Sequence, residues 1–152
     1  MGDVMYANLL KAAYPQIKAN DPSATVVGMA GIPLTSSEPD TACSIVGVLA
    51  QHPPLDALSE HAYSQLPEPD TAFPARMAAV NAALADGGKA GTPIWHSEQG
   101  LTGNDDGYGL AGDAEDDIAQ LYIRGVITAW SQGSKKFFWF SQDVSMDCEL
   151  AP

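Results

Sequence analysis

Four short apolar runs, each separated from the next by a stretch of helical period, leave few folds open to this chain. Residues 4–18 place Met5, Leu9, Leu10, Ala13 and Ile17 at helical spacing, and Asp21-Pro22 ends that helix. Residues 24–30 (ATVVGMA) read as a buried strand. A weaker helix over 41–51 precedes a second strand over 55–63, and a helix over 72–86 closes at Gly87-Gly88. A third strand spans 92–98, a helix spans 113–131 with Asp113, Glu115, Asp116 and Asp117 in its first turn, and a fourth strand spans 135–141. Strand and helix together recur at roughly 40 residues, which argues for parallel strands joined by right-handed crossovers. An open α/β sheet and part of a (β/α)8 barrel both fit. A whole barrel takes about 250 residues, so a chain of 152 holds about half of one.

Composition narrows the partners. Seven Lys and Arg stand against nineteen Asp and Glu, a formal net charge of −12. Such a chain repels a nucleic-acid backbone and an anionic membrane surface. No apolar run approaches the ~20 residues of a membrane span, and the first residues lack the basic-then-apolar order of a signal peptide. The acidic pI of about 4.2 fits a secreted or periplasmic microbial protein. Cys43 and Cys148 set no metal spacing and allow either one bridge or two free thiols. The acidic stretch from Asp105 to Asp117 lacks the alternating oxygen ligands of a calcium loop. Phosphate loops, dinucleotide-binding glycine turns and nucleophile elbows are likewise missing, so no metal or cofactor is implied.

Polar residues gather at the strand ends: His61 and Tyr63 on the second, His96 and Glu98 on the third, Trp139 on the fourth. Both candidate architectures place their active sites at that edge. Strand alternation gives His61 and Tyr63 one direction, and His96 and Glu98 one direction. If the apolar residues between them face the helices, all four face away from the helices and Glu60 faces toward them. A carboxylate beside a phenol and imidazoles is placed to act as a nucleophile. The blander alternatives are a loop-anchoring Glu98, structural histidines and a core Trp139.

The segments LDALSEHAY (55–63), TPIWHSEQG (92–100) and KKFFWFSQD (135–143) together resemble the second half of clan A glycoside hydrolases. The β-xylosidase/α-L-iduronidase family and its cellulase-like relatives are the nearest in flavour, and residues 6–28 resemble the helix that leads into their fifth strand. The resemblance implies a partial (β/α)8 TIM barrel, approximately strands five to eight, filling residues 1–152 as one incomplete catalytic domain. It implies hydrolysis of O-glycosidic bonds with retention, without a cofactor, on a poly- or oligosaccharide. Glu98 would be the nucleophile, Tyr63 would hold its carboxylate, His61 would sit near the sugar, Trp139 would lie under the sugar ring, and His96 would contact hydroxyls. The family's acid/base glutamate follows an asparagine, and no Asn-Glu pair occurs in this sequence.

A half barrel carries a physical consequence. Its inner sheet face, expected to include Val26, Ala57 and Ile94, would meet water unless an N-terminal half barrel or a second copy covered it. Two other classes stay open: a non-catalytic carbohydrate-binding half barrel or split-protein partner, using Trp139 and Tyr108, and a small open-sheet α/β protein of unrelated function.

Overall fold

Helix and strand alternate in the order the hydrophobic periods require. The computed structural model describes residues 2–35, 43–61, 72–99 and 115–139. Its elements are α1 (Gly2–Asn20), β1 (Val27–Gly28), α2 (Ile45–Leu49), β2 (Ala57–Glu60), α3 (Ala72–Asp86), β3 (Ile94–Gln99), α4 (Glu115–Ser131) and β4 (Lys136–Trp139). The strands form one parallel sheet ordered β1-β2-β3-β4. Neighbours in sequence are therefore neighbours in space, without the reversal that marks a doubly wound sheet.

The first strand is shorter than its apolar run. Met29 takes φ +73° and Gly31 φ +67°, so the chain leaves the extended region right after Gly28. Met29 is fully buried, and its N–H donates to the Tyr6 hydroxyl at 2.8 Å. That bond ties the turn after β1 to α1. α1 is tied again by Tyr14, which donates to Asp56 at 2.8 Å, and by Lys18, 2.7 Å from the same carboxylate. Asp56 also accepts the Val26 N–H at 2.8 Å, so one side chain aligns the starts of β1 and β2. α2 begins at Ser44, whose hydroxyl accepts the Gly47 N–H at 3.0 Å. α3 ends with Gly88 at φ +71°, which lets the Lys89 N–H return to the Leu84 carbonyl at 2.7 Å.

The core lies between one sheet face and the helices. Leu58 and Ile94 join Ile45, Val48 and Leu49 of α2, Phe73, Met77, Val80 and Leu84 of α3, and Ala129 of α4. Side chains of this size contribute about 1.5–3 kcal/mol each when fully buried. The expectation that Val26, Ala57 and Ile94 meet water is corrected: they are 8%, 0% and 3% exposed, although Ala57, alternating with Leu58, lies on the face away from the helices. Ile94 points to the helices because its register partner Leu58 does. The residues that alternate with the core set, Trp95, Lys136 and Phe138, occupy the opposite face. There the Lys136 ammonium sits 3.9 Å from the Trp95 ring centre, and Phe138 is 48% exposed. No described helix is long and apolar enough to cross a membrane.

Candidate active site

The ends of β2 and β3 divide their polar residues between the two sheet faces. Glu60 and His96 are register partners, and both are buried on the helix side. Glu60 pairs with Arg76 from the second turn of α3. Burial pushes the Glu60 carboxyl above its ordinary range, and the Arg76 guanidinium opposes that push. Its second oxygen has no hydrogen-bond partner among the described residues.

His96 is packed as an aromatic residue. Its ring stacks on Phe73 at 5.4 Å and on Phe137 at 6.0 Å. Nδ1 lies 2.9 Å from the Ser134 hydroxyl, which donates to the Lys136 carbonyl at 3.0 Å. With no acceptor at Nε2 among the described residues, the tautomer that places the hydrogen on Nδ1, as donor to Ser134, leaves only a lone pair unpartnered rather than a buried N–H. Nε2 has no partner among the described residues. A proton there would be a buried charge with no acceptor. Burial, followed by the nearby charges of Arg76 and His61, lowers the His96 pKa to about 4.

Glu98 does not follow His96. The register runs from His96↔Phe137 to Gln99↔Trp139, with a shift between them. Ser97 and Glu98 therefore stand opposite the single residue Phe138. Such a bulge breaks the two-residue alternation and re-aims a side chain. The Glu98 carboxylate comes to 3.8 Å from His61 Nδ1. His61 Nε2 lies 2.9 Å from the Ser97 hydroxyl, and Ser97 lies 2.5 Å from the Ser59 hydroxyl. Ser59, His61 and Ser97 share the face away from the helices. The His61 ring also stands near the backbone of Gly31: a Cβ placed there would be 3.7 Å from Nδ1.

The structure thus brings together Glu98 and His61 and removes His96 from them. The expectation that His96 shares a face with Glu98 and contacts hydroxyls is corrected. Its imidazole is fully buried, because the aromatic rings of α3 and β4 complete the core around it and the bulge turns Glu98 the other way. Tyr63 lies outside the described residues. The expectation that Trp139 lies with Glu98 under the sugar is corrected: like Phe137 it meets Tyr122 of α4 edge-on, with ring centres 4.7 Å apart, and so lies on the helix side, 38% exposed. Glu60 faces the helices as alternation required. Ser59, Ser97 and Arg76 were missed. The odd-numbered parity of Ser59, His61 and Ser97 carried the signal for the first two once the register was known. Arg76 gave none, since its partner lies sixteen positions away.

Among the described residues no three His, Cys, Asp or Glu side chains converge as metal ligands would. A hollow of about 330 Å³ lies between α2 and α3, lined by Leu34, Val46, Ala79, Ala83 and neighbours, and no strand-end residue borders it. The chemistry sits at the strand ends instead.

Comparison with protein-family models and with curated proteins finds no match. Among solved structures, the chain is similar to a glucosidase from Croceicoccus marinus, with a TM-score of 0.67 and 23% identity. The match covers 91% of this chain and 28% of that one. The likeness is one of fold: the match spans just over a quarter of that glucosidase's length, and the chain shares its α/β architecture there.

Proposed function

We propose that this chain is the nucleophile-bearing part of a retaining glycoside hydrolase of clan A type, a segment of a (β/α)8 barrel approximating strands five to eight. The observation that carries the reading is the bulge in β3, which delivers the Glu98 carboxylate to His61 at the C-terminal edge of a consecutively ordered parallel sheet. That edge is where barrel enzymes hold their reacting groups. The glucosidase-like fold supports the class of activity. Glu98 attacks the anomeric carbon, the glycosidic C–O bond breaks, and the sugar is held as an ester of Glu98 until water releases it. His61 lies beside that carboxylate, Nδ1 3.8 Å away, where it supports the negative charge and can donate to sugar hydroxyls. Tyr63 is assigned to Glu98 as the resemblance implies, and Trp139, which packs on Tyr122 of α4 on the face of Phe137, is assigned no sugar contact.

A retaining reaction needs a second carboxyl about 5–5.5 Å from the first, to protonate the leaving oxygen. Glu60 does not supply it, because it is buried on the other face with Arg76. We assign the acid/base to a glutamate outside this chain, on a first half barrel that also covers the face bearing Trp95 and Phe138.

Aryl glycosides with activated leaving groups need little protonation, and so test Glu98 without that acid. The chain is incubated with a panel of 2-deoxy-2-fluoro dinitrophenyl glycosides, and the labelled peptide is identified by mass spectrometry. The expected adduct is on Glu98, absent in Glu98→Gln. Sugar binding with no adduct from any glycoside refutes catalysis and makes the chain a carbohydrate-binding module.

A further inference from the structure

Resting on the reading of Glu98 as nucleophile, we propose that Ser59 and Ser97 form a hydroxyl relay that fixes the tautomer of His61 and aims its Nδ1–H at Glu98. Three side chains on one sheet face are linked in series: Ser59 to Ser97 at 2.5 Å, and Ser97 to His61 Nε2 at 2.9 Å. The Glu98 carboxylate stands 3.8 Å from the other ring nitrogen.

Each hydroxyl has one proton to give, so the chain of bonds runs in one of two directions. If Nε2–H donates to Ser97, the Nδ1 lone pair faces the Glu98 carboxylate, and two electron-rich groups oppose each other. If Ser59 donates to Ser97 and Ser97 donates to Nε2, then Nδ1 carries the hydrogen and faces an acceptor. For the neutral ring, only the second direction gives Nε2 a donor and turns Nδ1–H, rather than a lone pair, toward the carboxylate 3.8 Å away. Ser59 is 1% exposed, so water cannot readily replace it as the first donor. The partner of one ring nitrogen sets which tautomer the other presents. Ser97 and Ser59 are thus positioning residues. They act on Glu98 through His61, and the adjacency of Ser97 and Glu98 inside the bulge links the relay to the nucleophile.

The test is the tautomer itself, read by long-range proton–nitrogen NMR on the whole ¹⁵N-labelled chain at alkaline pH. The chain has three histidines, and two serve as references. His52 Nδ1 faces the Gly87 carbonyl at 3.0 Å and must therefore carry a hydrogen. His96 donates from the same atom to Ser134. His61 is expected to show the Nδ1–H pattern in the native chain. Ser97→Ala removes the donor to Nε2 and should raise the share of the Nε2–H form, Ser59→Ala should shift it in the same direction by less, and Ser97→Thr should retain the native pattern. Unmoved His52 and His96 signals show that the variants remain folded. A native His61 in the Nε2–H form, or one indifferent to either alanine, overturns the relay. The readout needs no substrate, so the two claims fail separately. An unlabelled Glu98 beside the expected tautomer counts against the hydrolase reading alone, and a labelled Glu98 beside an unmoved tautomer counts against the relay alone.

Discussion

His96 makes the stability of this chain depend on pH in a way that one substitution should remove. The folded chain holds the imidazole at 0% exposure, stacked on Phe73 and Phe137, with Nε2 lacking an acceptor among the described residues. Its pKa falls from the ordinary 6.5 to about 4. Between those values the unfolded chain binds a proton and the folded chain does not, so unfolding is favoured as pH falls. The contribution is fully present above pH 6.5 and is lost as pH drops through about 4. At about 1.4 kcal/mol per pH unit, the loss comes to about 3 kcal/mol across the window. Glu60 works oppositely: burial raises its pKa, so the folded chain takes up that proton first and gains stability as pH falls. Comparing His96 with His96→Gln in a Glu60→Gln background isolates the histidine. Urea unfolding followed by tryptophan fluorescence between pH 7.5 and 4 gives the free energies. The native His96 series should fall by about 3 kcal/mol relative to the glutamine series, which has no imidazole at 96 to titrate. Two series that fall in parallel would refute the reasoning, because a solvated imidazole adds no slope of its own.

Two further outcomes follow from packing. Arg76→Met leaves the Glu60 carboxylate buried without its cation; since Arg76 is itself a third exposed, a loss of about 2–3 kcal/mol is expected at pH 7 in urea unfolding. That loss should shrink as the pH falls and Glu60 takes up a proton, and in the Glu60→Gln background it should be smaller at every pH. Gly47→Ala would drive a Cβ into the Asp3 carboxylate, which accepts the Ser44 N–H at 2.7 Å. Thermal unfolding should show a loss of roughly 1–3 kcal/mol, and Asp3→Ala should cancel most of the additional cost of Gly47→Ala.

What the sequence determined by itself is the alternation. Apolar residues at helical and strand spacing placed all eight elements of the described residues, and α3 (Ala72–Asp86) coincided with its reading at both ends. Periodicity is local, so it survives without knowledge of the partner elements. The position of Glu98 at the end of a strand was legible for the same reason, and so was the turn of Glu60 toward the helices. The length of β1 was not, because Met29 leaves the extended region at φ +73°, where its N–H is held by a long-range bond to the Tyr6 hydroxyl. Tertiary structure alone decided which way the strand-end residues of β3 point. Ile94, Trp95, His96 and Ser97 alternate in either phase with similar plausibility, since Ile94 and Trp95 are both apolar. The choice fell to Phe73 and Phe137, which close around His96 from α3 and β4. The same contacts left Ser97 and Glu98 to share one position opposite Phe138. A bulge is a mismatch between two strands, and a mismatch exists only once both strands are paired. The meeting of Glu98 with His61, on which the proposed chemistry turns, is therefore a property of the register and not of either strand's own sequence.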